Sequence, residues 1–160
     1  MATEQLKFKL ELYSTYWDKP PIAEIVVGGE SMYNSEIASS EKDPTVIQFN
    51  KALVEGEKYN LEIKLSGIKK NQTVLDTNGK IIKDQLLHIK QIEIDEIDIG
   101  ALVYEGVYTP QYPQPWYSQQ IESGHTPNKT FKNVTAMGHN GTWTLAFESP
   151  FYMWLLENLY

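Results

Sequence analysis

The sequence predicts a mainly β fold: an antiparallel β-sandwich or jelly-roll-like domain that ends in a short C-terminal helix. Three observations support this. Apolar and polar residues alternate with a period of two in several segments, glycine-containing turn signals separate those segments, and an apolar helical stretch closes the chain. The length of 160 residues suits one domain with its own core, so we expect a single domain over residues 1–160.

The first half of the chain is expected to be built from strands joined by turns. The predicted strands cover residues 6–13, 22–27, 45–49 and 59–65. Pro20-Pro21 ends the first strand because proline cannot continue a ladder, and Gly28-Gly29 turns the second. The polar stretch 32–44 is predicted to be a loop. Glu55-Gly56 predicts a hairpin between the last two of these strands.

The isoleucine-rich stretch 81–99 predicts a strand with an irregularity. Its apolar residues change phase midway, between the pair Leu87, Ile89 and the pair Ile92, Ile94. A bulge near Lys90-Gln91 would bring all four to one face. Asp95-Glu96 is expected to turn the chain. The preceding stretch, 66–80, is expected to be a long polar loop that contains the turn Asp76-Thr77-Asn78-Gly79.

The C-terminal part predicts a hairpin followed by a helix. Residues 130–137 are expected to pair with residues 142–148 across Gly138-His139-Asn140-Gly141. Ser149 and Pro150 suit the cap and the first position of a helix over residues 151–160. That helix is apolar nearly all round, so we expect it to be buried against its own sheet or against a neighbour.

The most informative segment is an aromatic, proline-rich arm or large loop over residues 104–130. Its prolines argue against a central strand. Three interpretations are open: the aromatic side chains cover a sheet, anchor a protein interface, or stack against glycan rings. We predict that the partner-binding residues are Tyr104, Tyr108, Tyr112, Trp116 and Tyr117.

Charge and composition exclude several classes of partner. The net charge is −7 and all 14 cations are lysine, which argues against nucleic acid as a partner. The chain contains no cysteine, so neither disulfides nor thiolate metal sites are expected. It has no apolar signal core and no stretch long enough to span a membrane, so we expect a protein made in a reducing cytoplasm, with no membrane partner.

No catalytic arrangement stands out, so we predict that the protein is not an enzyme, with no catalytic residue, metal or cofactor. His88, His125 and His139 lack ligand spacing. The acidic run 93–98 has two interpretations. Its carboxylates would suit glycoside hydrolysis or calcium binding. Alternation in a strand would instead place Glu93 and Asp95 on a solvent face, which we favour. Asp76 to Gly79 resembles the start of a calcium loop, but Asn-Gly is primarily a turn signal.

Two segments resemble small virion-associated structural proteins of tailed phages that infect marine cyanobacteria. They are residues 83–100, from Lys83-Asp84-Gln85 to Ile99-Gly100, and residues 140–158, which include Ser149-Pro150-Phe151-Tyr152-Met153-Trp154. The opening, residues 8–25, is also similar in pattern. This resemblance implies a component of the head surface (a capsid decoration), neck, tail or baseplate. Such a component is assembled in the host cytoplasm, located in the virion, and bound to other virion proteins in a symmetric assembly.

The middle of the chain also resembles calcium-dependent xylan-binding modules, which are β-sandwiches with a long loop before a Leu-x-Ile-x-x-Ile passage. This resemblance implies the alternative function, a carbohydrate-binding module that aids attachment to host surface glycans. The sequence departs from those modules because it lacks a recognisable set of acidic calcium-binding loops. Shared fold does not by itself confer shared function.

Overall fold

The computed structural model describes residues 2–69, 73–112 and 114–159, and it contains two antiparallel sheets that pack face to face. In chain order the strands are β1 (Thr3–Thr15), β2 (Ile22–Val27), β3 (Glu30–Glu36), β4 (Thr45–Val54), β5 (Lys58–Ser66), β6 (Val74–Leu75), β7 (Ile81–Lys83), β8 (Leu86–Ile94), β9 (Ile97–Asp98), β10 (Val107–Pro110), β11 (Ala136–Met137) and β12 (Gly141–Glu148). A 3-10 helix (Gly100–Glu105), α1 (Trp116–Glu122) and α2 (Phe151–Leu159) complete the fold.

The first sheet has the order β11-β8-β1-β4, and β9 also pairs with β8. The second sheet has the order β10-β12-β5-β2-β3. Strands β6 and β7 form a separate two-stranded hairpin. This architecture confirms the predicted fold class: mainly β and antiparallel, with a short C-terminal helix.

The core lies between the two sheets and follows the period-two pattern. On β1, Leu6, Phe8, Leu10 and Leu12 are all buried, as predicted. They face the buried side chains of β5 and β12, and the rings of Phe8 and Phe147 lie 6.3 Å apart across the interface. Each fully buried side chain of this size contributes roughly 2 kcal/mol of hydrophobic free energy.

The predicted bulge lies at Lys90. Glu11 pairs with Gln91 and Leu12 pairs with Ile89, so Lys90 is the extra residue on β8. The bulge restores the phase of the strand, because Leu87, Ile89, Ile92 and Ile94 are all buried. Asp95 and Glu96 form the predicted turn, and both have positive φ values, 53° and 65°. That combination matches the two-residue turns that suit the twist of hairpins.

Both other predicted hairpins are wrong, because each turn joins strands of different sheets. After Glu55-Gly56 the chain passes from β4 in the first sheet to β5 in the second. Gly56 donates its N–H to the Ser149 carbonyl at 2.7 Å, which secures this crossing. Similarly, β11 pairs with β8, whereas β12 pairs with β5 and β10.

The second crossing is held by Asn140 and Gly141. The Asn140 side chain accepts from the Ile68 N–H at 2.9 Å and donates to the Ile68 carbonyl at 3.3 Å. Gly141 allows β10 to approach closely, because a Cβ there would collide with the Thr109 carbonyl oxygen. The Asn-Gly signal therefore marks a link to neighbouring strands rather than a hairpin turn.

The predicted loops and arm contain more regular structure than expected. Residues 30–36 form the edge strand β3, whose mostly exposed side chains hide the alternation that would have identified it. The long loop 66–80 includes β6. Within the predicted arm 104–130, residues 107–110 form the edge strand β10 and residues 116–122 form α1. Proline is tolerated in β10 because Pro110 ends an edge strand.

The C-terminal helix is confirmed, but its N-terminal cap is not the predicted one. The Glu4 carboxylate accepts from the Phe151 N–H at 2.8 Å and from the Ser149 hydroxyl at 2.8 Å. Ser149 is therefore a donor, not the capping acceptor, and Phe151 is the first helical residue.

Phe151 and Leu155 are buried against the sandwich. The opposite face exposes Tyr152, Met153 and Leu156. The helices described here include none that is long and apolar enough to cross a membrane.

We predict that Glu4→Ala lowers the free energy of unfolding by about 1–2 kcal/mol, since it removes the acceptor shared by Phe151 and Ser149. Glu4→Gln is the matched control, because its amide oxygen can still accept both hydrogen bonds and should retain most of the stability. Denaturant unfolding of the three proteins tests this. Equal stability of Glu4→Ala and the wild type would contradict the assignment of Glu4 as the cap.

Candidate functional site

The candidate site lies where the chain leaves the second sheet after β10. The N–H of Gln111 donates to the Asn140 carbonyl at 2.6 Å, which holds the end of β10 against the 138–140 crossing. Helix α1 begins a few residues later, and the Gln114 side-chain oxygen accepts from the Ser118 N–H and hydroxyl. This local bonding fixes the first turn of α1 and directs Trp116 and Tyr117 back towards Tyr112.

Four rings meet here and form what we term the aromatic cluster: Tyr112, Trp116, Tyr117 and His139. Tyr112 is at its centre. Its ring lies 5.7 Å from that of Tyr117 and nearly parallel to it, at 7°. The ring of Trp116 is 5.5 Å away and tilted by 42°, and that of His139 is 5.4 Å away and meets Tyr112 edge-on. Such offset and edge-on arrangements are the favourable geometries for aromatic pairs.

An open cleft of about 320 Å³ lies beside the cluster. Its walls are formed by Thr109, Pro110, Tyr112, Tyr117 and Lys129. The Tyr112 hydroxyl donates to the Asn128 carbonyl at 2.5 Å, which ties the residue before Lys129 to the Tyr112 side chain. The cleft thus combines two tyrosine rings and a proline with the hydroxyl groups of these tyrosines and of Thr109, and with the ammonium group of Lys129. Ligand sites typically have this composition, mostly apolar walls with a few polar groups.

A separate, smaller hollow of about 160 Å³ lies beside His139. The described residues that line it are Ile68, Lys69, Thr73, Gln111, Gly138, His139 and Asn140. Burial lowers the pKa of His139, and the Asp84 carboxylate acts in the opposite direction. The imidazole is therefore neutral at physiological pH, where it can either donate or accept a hydrogen bond.

Of the five residues predicted to bind a partner, the structure brings three together: Tyr112, Trp116 and Tyr117. Tyr104 lies elsewhere, on the 3-10 helix. Its side chain is exposed and lines a separate hollow with Gln91 and Asp98. Tyr104 is therefore not part of the aromatic cluster.

Tyr108 requires a correction, because it is a core residue. Its side chain is only 4% exposed. Its hydroxyl donates to the His139 carbonyl and accepts from the His139 N–H at 3.1 Å. Its ring packs 6.4 Å from that of Phe131. On a short strand, alternate residues face the core, and Tyr108 occupies the inward position between Val107 and Thr109.

Sequence reasoning missed His139, Asn128 and Lys129 as neighbours of the aromatic side chains. His139 was assigned only to a turn. The signal that would have revealed it is the buried Tyr108 hydroxyl, which needs a partner at the 138–140 crossing. Lys129 and Asn128 approach the cleft only because residues 123–130 return towards β10 after α1. Periodicity does not encode such a return.

The acidic run near the β8–β9 turn is structural. Asp95 lies in the turn rather than on the solvent face of a strand, which corrects the prediction for this residue. Its carboxylate accepts from the Lys7 N–H at 2.8 Å and from the Tyr152 hydroxyl at 2.9 Å. Asp95 therefore joins β1 and α2 to the turn. Glu93 remains in β8, where it accepts from the Gln91 amide at 3.0 Å.

The other polar motifs are also accounted for by local structure. One Asp76 carboxylate oxygen accepts from the N–H groups of Asn78 and Lys80, at 2.8 and 2.9 Å, so this motif is an Asx-type turn. His88 stacks on Tyr13 at 4.5 Å and shares a hydrogen bond with the Thr15 hydroxyl. Within residues 2–69, 73–112 and 114–159, no three acidic or histidine side chains cluster in a way that would hold a metal ion.

Comparison with known proteins gives a structural likeness only. No family model matches the chain, and no curated protein matches it in sequence. Among solved structures, vCBM60 in complex with galactobiose has 9% identity and a TM-score of 0.48, with 87% of this chain and 96% of that chain covered. The selenomethionine form of vCBM60, from a study of two families of calcium-dependent carbohydrate-binding modules, has 7% identity and a TM-score of 0.49, covering 88% and 89%. Values of this size assign neither a family nor a ligand.

We predict a change in alkaline stability for Tyr108→Phe. Burial raises the pKa of Tyr108 from 10.0 to about 12. The neutral Tyr108 hydroxyl is therefore favoured in the folded protein. The free energy of unfolding of the wild type is unaffected by this group below pH 10 and falls by about 2–3 kcal/mol as the pH rises through 12. The variant should be less stable at neutral pH by roughly 1 kcal/mol, through loss of the hydrogen bond to His139.

The measurement is denaturant unfolding of both proteins from pH 8 to pH 12. All other titrating groups are common to the two proteins, so the difference between their curves isolates Tyr108. We expect the wild type to lose its advantage between pH 10 and pH 11 and to be the less stable protein, by about 1 kcal/mol, near pH 12. A difference that stays constant over this range would show that Tyr108 is not buried in its neutral form.

Proposed function

We propose that this chain is a non-enzymatic binding domain that binds carbohydrate in the cleft beside the aromatic cluster. The observation that carries the proposal is the pair of nearly parallel tyrosine rings, Tyr112 and Tyr117, which form one wall of an open cleft with Lys129 and Thr109 at its margin. This arrangement presents aromatic and polar groups to the same ligand.

The chemistry of a sugar ring fits this arrangement. A pyranose has C–H groups on its faces and hydroxyl groups around its rim. Aromatic rings cover the faces, while hydroxyl, amide and ammonium groups bond the rim. The cleft volume of about 320 Å³ lies at the lower end of the range for small-molecule sites, so it suits one or two sugar units rather than a long chain.

The lining of the cleft supports binding without hydrolysis. Glycoside hydrolysis generally requires two carboxylates on opposite sides of the scissile bond. The described residues that line the cleft are Thr109, Pro110, Tyr112, Tyr117 and Lys129, and none of them carries a carboxylate. The acidic Asp95, by contrast, holds the Lys7 N–H and the Tyr152 hydroxyl.

A second candidate function is that of a virion structural protein, located in the particle and bound to other virion proteins. The exposed apolar face of α2 favours it: Tyr152 is 47% exposed, Met153 60% and Leu156 61%. Contiguous exposed apolar residues are characteristic of protein interaction sites. This face is on a different element from the cleft, so the two proposals can be tested separately.

For the first proposal we expect Tyr117→Ala to weaken binding at least tenfold, equivalent to about 1.4 kcal/mol, because it removes one ring of the wall. The probes are a glycan array and then isothermal calorimetry with the strongest ligand found. Tyr104→Ala is the control, since it removes an exposed tyrosine outside the cleft and should leave affinity unchanged. Absence of binding to every glycan by the wild type would refute the proposal.

For the second proposal we expect the chain to co-purify with intact particles when it is expressed during infection. Leu156→Glu should abolish incorporation, because a charge on the apolar face opposes its burial. Glu157→Gln, a change at the adjacent exposed position, should be incorporated normally. Equal incorporation of the two variants would exclude α2 as the assembly surface.

A further inference from the structure

The edges of the two sheets differ in how they are protected against pairing with another chain. In the first sheet β4 forms one edge, while the short strands β9 and β11 share the other. In the second sheet the edges are β10 and β3. Exposed edges carry unpaired backbone groups, and proteins protect them with short strands, proline, charge or bulges.

Apart from one lysine, strand β4 lacks those protections, whereas the other edge strands have them. Strands β9 and β11 contain two residues each, β10 ends at Pro110, and β3 has Glu30 and Glu36 at its ends and a register shift against β2. Strand β4 has ten residues, TVIQFNKALV, with no proline, no glycine and an uninterrupted register against β1. Its one ionisable side chain, Lys51, is bound to Glu30 at 2.8 Å.

The hydrogen bonds at the end of β4 identify which backbone groups point outwards. The Val54 N–H donates to the Tyr59 hydroxyl at 2.8 Å, and the Val54 carbonyl accepts from the Glu57 N–H at 3.3 Å. Neither group of Val54 therefore bonds to β1. In an antiparallel ladder, residues whose backbone groups bond to the neighbouring strand alternate with residues whose backbone groups point away from it. The outward backbone groups of β4 thus belong to Val46, Gln48, Asn50 and Ala52.

We propose that the β4 edge binds the β4 edge of a second copy of this chain, in antiparallel register about a two-fold axis at Phe49. This register places each outward residue opposite another outward residue: Val46 opposite Ala52 and Gln48 opposite Asn50 of the second copy. All four outward N–H groups and all four outward carbonyls then find partners. The first sheet of one copy and the first sheet of the other then form one continuous sheet across the dimer.

The side chains of β4 support a second copy of this chain as the partner that binds its edge. Gln48 and Asn50 are exposed on the outer face and become cross-strand neighbours in this register, where their amides can hydrogen-bond. Lys51 lies opposite Ile47 of the second copy, so no like charges face each other along the paired strands. This matters because each chain carries a net charge of −7, which would otherwise oppose association.

The test uses paired charge variants at the two exposed positions. Gln48→Glu/Asn50→Glu places two carboxylates opposite each other on both sides of the two-fold axis. Gln48→Glu/Asn50→Lys places a carboxylate opposite an ammonium group instead. In a single chain these positions lie beside Lys9 and Lys7 of β1, so the doubly acidic variant should fold at least as stably as the wild type.

The measurements are sedimentation equilibrium over a concentration series and a thermal melt of each protein. We expect a wild-type dimer of two 18.4 kDa chains, a dissociation constant raised about tenfold or more in the doubly acidic variant, and recovery in the charge-paired variant. Amide hydrogen exchange should slow at residues 46, 48, 50 and 52 as the concentration rises.

Two results would overturn the proposal. One is a wild-type protein that stays monomeric at every concentration. The other is a dimer whose dissociation constant is the same in the wild type and both variants, which would place the interface elsewhere. The melts confirm that every variant compared is folded.

Discussion

The packing of two apolar sheet faces against each other is the constraint on which the rest of this structure depends. Along β1 the alternate residues from Leu6 to Leu12 must all face the core, and β8 must match them across a phase change in its own sequence. The bulge at Lys90 is the consequence. The cap of α2 by Glu4 and the links of Asp95 follow in turn, because each attaches a peripheral element to the long strand β1.

Much of the fold could be predicted from the sequence because side-chain alternation reports which face of a strand is buried. The strands at the start of the chain and the bulge follow from that signal, and the C-terminal helix follows from its apolar stretch after Ser149-Pro150. Strand partners could not be predicted in the same way. Glu55-Gly56 and Gly138 to Gly141 mark reversals of the chain, but contacts from distant residues, Ser149 and Ile68, decide that both reversals cross between sheets.

The candidate site shows the same division between local and long-range information. Tyr112, Trp116 and Tyr117 are close in sequence, and a short helix suffices to bring their rings together. Tyr108 belongs to the same aromatic segment, yet a strand of only four residues is too short to reveal by alternation that it points inwards. His139 joins the aromatic cluster and Lys129 joins the cleft from elsewhere in the chain, and only the tertiary structure shows that they do.

The position of the cleft relative to the β4 edge bears on how the two features would act together. Strand β10 lies at one end of the second sheet and β3 at the other, and the Lys51–Glu30 ion pair places β3 beside β4. The cleft and the β4 edge are therefore on opposite flanks of the sandwich. Pairing through β4 would leave both clefts open and hold them at a fixed separation. A ligand repeated on a surface would then bind both clefts of one dimer. Binding at the first cleft would raise the effective concentration of ligand at the second, so the dimer would bind more tightly than a single cleft without any new contact.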